Sequence, residues 1–260
     1  MLLKTFLRHP LRIIGRTLWL SSMILLVMCD YMLYVFWHGE SHKAARLKWM
    51  QRSGRRFLRV FNADWQTSGI MPQSGLLVCN HLGYFDILLL SAVAPAVFVA
   101  KQEVKSWPVF GRLARLAGTI FVHRERRSET ANSASEIKNA LSQGALVILF
   151  PEGTSSGGDT VLPFKSALLE PAVQSGHEFF VGYISYTLTD GNVADEVCYW
   201  GDMTLVPHLL NLLGKRGVSA QVSFAAVQEP CADRKQLARQ LHSEVLNLKA
   251  LPAIRFPPPA

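Results

Sequence analysis

The stretch Asn80-His81-Leu82-Gly83-Tyr84-Phe85-Asp86 puts a histidine and an aspartate five positions apart, directly after the apolar run Leu76-Leu77-Val78-Cys79. A carboxylate that holds one imidazole nitrogen leaves the other to accept a proton, so such a pair can deprotonate a hydroxyl. Spacing limits where the two can sit. Five residues of regular helix turn through about 500°, leaving the side chains roughly 140° apart. They meet only if His81 lies in the turn after a strand and Asp86 in the first turn of the following helix, with Gly83 giving the turn its backbone freedom. An aspartate in that first turn also suits a plain helix cap, and spacing alone does not separate the two roles.

A second polar group, Glu152-Gly153-Thr154, follows the apolar run 145–150 and offers an acceptor and a hydroxyl at another strand end. Two polar strand ends point to one site at one edge of a sheet. Gly153-Thr154-Ser155-Ser156-Gly157 also fits the G-x-S-x-G elbow, which would make Ser155 the nucleophile of a lipid hydrolase. That elbow needs strand, serine and helix in direct succession. Here Pro151 and Glu152 intervene, and Gly157, Gly158 and Pro163 follow, which argues against it. Lys101, Lys105, Arg112, Arg115, Arg124, Arg126 and Arg127 form a basic set. Of these, Arg124 closes the run 118–124, and a basic residue at a strand end suits a phosphate. Arg126 and Arg127 read as a solvated face. No P-loop, dinucleotide glycine fingerprint or metal-ligand cluster occurs, so neither a metal nor a cofactor is expected.

The elements that must hold these residues follow from periodicity. From Gly75 onward, strands near 75–80, 96–100, 118–123, 145–150, 179–187 and 218–227 alternate with helices near 84–93, 108–117, 129–142, 165–175 and 232–249. Alternation of this kind predicts an α/β domain with a mostly parallel sheet flanked by helices. Ligands of such sheets bind beyond the carboxyl ends of the strands, where Asn80, Arg124 and Pro151 fall. A single domain is expected over 63–250, followed by a disordered tail, 251–260, rich in proline.

The chain has 260 residues, 49% hydrophobic and only 18% charged, with a mean hydropathy of +0.17. That is enough for one well-buried domain, argues against disorder and points toward lipid. The net charge of +8 is uneven. Residues 1–62 carry eleven Lys and Arg against Asp30 and Glu40, and the rest carry 16 basic and 17 acidic groups. Nucleic acid is one partner for such a patch. An anionic membrane surface suits it better, at about 1 kcal/mol per basic residue, because residues 18–37 form a 20-residue apolar run with Asp30 as its one charge. The run is long enough to span a bilayer. Basic residues flank it on both sides, so charge does not fix an orientation, and a helix dipping into one leaflet would keep both flanks cytoplasmic. No small-residue cleavage pattern follows it. Residues 42–62 alternate basic and apolar groups at helical spacing and read as an amphipathic helix on the membrane, so 1–62 is expected to be a membrane-associating segment. Cys29, Cys79, Cys198 and Cys231 are far apart, with no CxxC, and read as free thiols in a reducing compartment.

Together these pieces resemble the glycerolipid acyltransferase family that contains the 1-acylglycerol-3-phosphate acyltransferases. The resemblance spans about residues 75–227 in four ordered blocks. His81-Leu82-Gly83-Tyr84-Phe85-Asp86 resembles the family's H-x4-D; the run 118–124 resembles G-x-x-F-I-D-R, with His123 for the usual Asp. Phe150-Pro151-Glu152-Gly153-Thr154 resembles F-P-E-G-T, and Leu162-Pro163-Phe164-Lys165 a fourth, proline-containing block. The resemblance implies His81 and Asp86 as catalytic base and its partner, Lys101 and Arg124 as grips on an anionic head group, and Glu152, Gly153 and Thr154 as shapers of that pocket. It also implies a membrane lipid acceptor, with an acyl-coenzyme A or acyl carrier protein thioester as co-substrate, at the cytoplasmic face of the bacterial inner membrane. The expected acceptor is 1-acylglycerol-3-phosphate, giving phosphatidic acid. Two departures bear on the acceptor rather than the reaction: Ser155 stands where the family often has Arg, and Gly83 where Ser is frequent. The segment Cys198-Tyr199-Trp200-Gly201-Asp202-Met203 with Pro207-His208 is similar to bacterial relatives that acylate other lysolipids, including lyso-ornithine lipid.

Overall fold

The computed structural model describes residues 9–37, 42–122, 127–173 and 176–251. Arg124, His123 and the tail 252–260 lie outside the described residues. Seven strands form one sheet: β1 (Ala63–Gly69), β2 (Gly75–Cys79), β3 (Val97–Lys101), β4 (Ile120–Val122), β5 (Leu146–Leu149), β6 (Phe179–Leu188) and β7 (Val218–Ala226). Their order is β1-β7-β6-β2-β5-β3-β4, with β6–β7 antiparallel and every other neighbouring pair parallel. The expected α/β architecture with a mostly parallel sheet is therefore present.

The central strand β2 shows why. Gly-Leu-Leu-Val-Cys is buried throughout. Leu77 and Cys79 face one core, Leu76 and Val78 the other, as period-2 alternation in a doubly covered parallel sheet requires. On one side pack α2 (His42–Val60), α3 (Tyr84–Val93) and α6 (Leu205–Leu213). On the other side pack α5 (Arg127–Ser142) and α7 (Arg234–Ala250). A short α4 (Phe110–Leu116) lies between β3 and β4.

Two elements escaped the sequence. Strand β1 reads Ala-Asp-Trp-Gln-Thr-Ser-Gly, with one β-branched residue. Its partner β7 makes it a strand through a seven-residue parallel register and a Ser68 to Ser223 hydroxyl bond of 2.9 Å. Helix α6 is an apolar run too short for its period to separate it from a strand. The helix expected over 165–175 is broken into single turns, Ser166–Leu168 and Glu170–Val173. Pro171 has no N–H to bond the carbonyl of Ala167 and its ring clashes there.

The N-terminal helix α1 (Pro10–Asp30) continues into a wider turn, Tyr31–Val35. The stretch Pro10–Leu33, 24 residues at mean hydropathy 1.5, is long and apolar enough to cross a membrane. One side of it is fastened to the domain. Arg12 donates to the carbonyl of Gly214 (3.0 Å), and Arg16 to those of Leu213, Lys215 and Arg216. These are carbonyls at the carboxyl end of α6, where cations are favoured. At the other end Trp49 Nε1 donates to Val27 O (2.9 Å), and Arg56 bonds Asp30 (2.6 Å). The opposite side, with Leu11, Ile14, Leu18, Trp19 and Leu25, is exposed.

Helix α2 is amphipathic as expected, but its apolar residues Trp49, Phe57 and Leu58, and Phe61 just after it, are buried inside the protein. They pack on α1 and α3 rather than facing lipid. Gly54 permits the close approach: a Cβ there would lie 2.4 Å from Ser91 Oγ and 2.8 Å from Ala92 N on α3.

Candidate active site

His81 leaves β2 one residue after Asn80, which completes the strand. The Asn80 side chain accepts from Ile184 N (2.7 Å) and donates to Ile184 O (3.0 Å), imitating a further rung of the β2–β6 ladder. The chain then turns through Leu82 and Gly83 into α3. Gly83 has φ 150 and ψ −167, and a Cβ there would lie 2.8 Å from Tyr199 N. Only glycine fits both demands.

Asp86 falls at the third position of α3 and is completely buried. Its Oδ2 accepts from His81 Nδ1 (2.7 Å), Leu82 N (2.7 Å) and Gly83 N (3.0 Å). Its Oδ1 accepts from the Tyr186 hydroxyl (2.6 Å). Helix cap and histidine partner, alternatives in the sequence, are thus one and the same carboxylate. Because a carboxylate only accepts, Nδ1 carries the proton, and Nε2 is the acceptor of the neutral ring. The ring stacks on Phe150, centroids 4.2 Å apart.

Glu152 binds the other side of the turn. Its Oε1 accepts from His81 N (2.8 Å) and its Oε2 from Leu162 N (3.0 Å), while His81 O accepts from Ser156 N (2.9 Å). Burial pushes the Glu152 carboxyl up to about 7, against the two backbone N–H bonds, which favour its charged form. Gly153 closes a turn onto Phe150 O (3.1 Å), and Thr154 is exposed beside it. Lys101 ends β3 and is exposed. Continuing the Val97↔Val147 register brings it level with Pro151, next to Glu152, at the same edge of the sheet. His81, Asp86, Lys101, Glu152, Gly153 and Thr154 therefore gather at one set of carboxyl-terminal strand ends.

Ser155 has no elbow. Its strand β5 ends at Leu149, residues 151–165 form a loop, and its hydroxyl donates to Tyr199 O (2.6 Å). Motif reading missed Tyr186 and gave Tyr84, Tyr199 and His208 no structural role. Tyr186 carries no local signal except its strand parity. Tyr84 donates to His208 Nδ1 (2.9 Å), whose Nε2–H is given to Cys198 O (3.0 Å); burial holds this imidazole neutral. That chain, with Tyr199 N on Leu82 O (2.8 Å), docks the segment 197–203 on the His81 turn. Among the described residues no group of three His, Cys, Asp or Glu is placed to hold a metal ion.

An apolar cavity of about 150 Å³ opens beside Tyr84 and Trp107. It runs between α1 (Leu20, Ile24), α2 (Phe57), α3 (Leu88) and α4 (Leu113).

The Acyltransferase family matches residues 65–190. The chain is 41% identical to the lyso-ornithine lipid O-acyltransferase of Brucella abortus over 73% of this chain and 77% of that protein. It is 39% identical to the enzyme of that name from Rhizobium meliloti over 66% and 64%, and 32% identical to the 1-acyl-sn-glycerol-3-phosphate acyltransferase of Neisseria gonorrhoeae over 64% and 65%. For the last two, the matched region spans just under two thirds of the relative. In fold, the chain is similar to the crystal structure of the 1-acyl-sn-glycerophosphate acyltransferase of Thermotoga maritima, with a TM-score of 0.63 at 22% identity over 96% and 100% of the two chains.

Proposed function

Since the chain belongs to the acyltransferase family, we propose that it moves a fatty acyl group from a thioester to the hydroxyl of a lysolipid, with His81 as the base. The observation that carries this is the 2.7 Å bond between His81 Nδ1 and the fourfold-bonded Asp86 carboxylate. His81 Nε2 takes the proton of the lysolipid hydroxyl as its oxygen attacks the thioester carbonyl. Asp86 stabilises the imidazolium. The carbon–sulfur bond then breaks, and the proton passes from Nε2 to the leaving thiolate. Lys101 and Arg124 hold the anionic part of the head group, and Glu152, Gly153 and Thr154 shape its pocket. The reaction needs no metal or resident cofactor. The apolar cavity is suited to the acyl chain.

Acyl-coenzyme A or acyl carrier protein supplies the thioester. Relatives support both acceptors, 1-acylglycerol-3-phosphate and lyso-ornithine lipid. We rank lyso-ornithine lipid first: its namesakes share 39% and 41% identity, and the Ser155 hydroxyl, spent on Tyr199 O, offers an anionic head group neither charge nor donor. The exposed apolar side of α1, together with the exposed Lys48, Arg55 and Arg59 of α2, suits the cytoplasmic face of a bacterial inner membrane.

The test is purified protein on vesicles, offered each lysolipid with each donor. Wild type forms the diacyl product with one pairing preferred, and His81→Ala loses roughly 10²–10⁴-fold of the rate. A variant within about threefold of wild type would remove His81 as the base.

A further inference from the structure

We propose that Tyr186 is a positioning residue that shares the negative charge of Asp86 and so sets the pH range in which His81 acts as a base. This rests on the reading of His81 given above.

The placement comes from strand length. β2 pairs with β6 as far as Cys79↔Gly182, but β6 continues to Leu188. Asn80 extends the match by its two bonds to Ile184. The next residue on the same face is Tyr186, which therefore passes beneath the turn that carries His81. Its ring packs edge-on against Phe85 (centroids 5.6 Å), and its hydroxyl reaches Asp86 Oδ1 at 2.6 Å.

The two carboxylate oxygens are unequally loaded. Oδ2 holds His81 and two backbone N–H groups, whereas Oδ1 has Tyr186 as its one donor among the described residues. Burial and the Asp86 charge push the phenol well up from its ordinary range, so it stays protonated and only donates. Besides the Glu152 carboxyl, the titratable groups facing Asp86 are the thiols of Cys79 and Cys198. Burial, then Asp86, pushes both up, Cys198 to about 12, so they stay neutral. Glu152 hydrogen-bonds the backbone of His81 and also acts through its charge on His81 and Asp86, a contribution common to wild type and Tyr186→Phe. Tyr186 and His81 are thus the two side chains that draw on one buried charge. A strong phenol bond lowers the pull of Asp86 on the imidazolium, which lets the ring lose its proton to the leaving thiolate. Without that bond, the imidazolium is held more tightly.

Tyr186→Phe keeps the ring and removes the hydroxyl. The acidic limb of kcat/KM is expected to move up by about half to one pH unit and kcat at neutral pH to fall about 3–30-fold. KM for the lysolipid should stay within about twofold. Ile184→Val, on the same strand face and core, is the packing control: it lowers the melting temperature and leaves the pH profile in place. A wild-type profile in Tyr186→Phe, or an equal displacement in Ile184→Val, overturns the proposal. His81→Ala in the same assay separates the two levels. If it is inactive while the Tyr186→Phe profile stays put, the Tyr186 role alone fails. If it is active, the base assignment fails first, and the Tyr186 role with it.

Discussion

At the scale of single residues, the site is a competition for two carboxylates. Asp86 is buried among four donors, which justify its charge. Glu152 has two and is nearly as buried, at 1% exposure, so burial still pushes it up to about 7. A carboxyl raised in the folded state binds its proton more tightly there than in the unfolded chain. Its contribution to stability is present in full below the ordinary carboxylate range and is lost as the pH rises through about 7. Glu152→Gln removes that titration. The melting-temperature gap between wild type and Glu152→Gln should therefore shrink between pH 5 and pH 8, read by thermal melts at both ends. A gap that widens with pH would mean that the two N–H bonds outweigh burial.

At the scale of elements, the turn between β2 and α3 is built around absent atoms. Serine is normally a good residue at the start of a helix, and the family resemblance places it often at position 83. In this chain the conformation at Gly83 and the packing of Tyr199 leave no room for a Cβ. Gly83→Ser is expected to cost about 1–3 kcal/mol, measured by chemical denaturation, despite the better cap. A neutral or stabilising result would show that the segment 197–203 yields easily. The same segment is tied to the loop after β5 by Ser155 and to α6 by His208. The site is thus closed by two loops that brace each other over one turn.

At the scale of the whole molecule, α1 works on both its sides. Its inner side supplies Leu20, Ile24 and Val27 to the apolar cavity, and its outer side is apolar and exposed. Arg12 and Arg16, which the sequence offers as flanking charges for a membrane segment, are committed to carbonyls at the carboxyl end of α6. The double variant Arg12→Ala/Arg16→Ala should speed amide exchange across residues 10–30 while leaving β2, β5 and β6 protected. It should also lower the rate with long-chain donors more than with short ones, because the cavity wall is loosened. Uniform exchange across the sheet would mean instead that α1 is an integral part of the folding core.

The sequence by itself determined what is local or periodic. The continuous apolar runs of β2, β5 and β6 specify doubly covered strands, and the five-residue interval specified that His81 sits in a turn and Asp86 in a helix start. It also offered the candidate residues, because a histidine–aspartate pair and an acidic turn are short-range patterns. What only the tertiary structure decided depends on partners distant in the chain. β1 is a strand because β7 lies beside it, and the apolar stripe of α2 is spent on α3 rather than on lipid because Gly54 lets the helices touch. Tyr186 reaches Asp86 from 100 residues away because β6 outruns β2. Hydrogen bonds and packing act through space, and a linear pattern records only contacts whose spacing the backbone itself fixes.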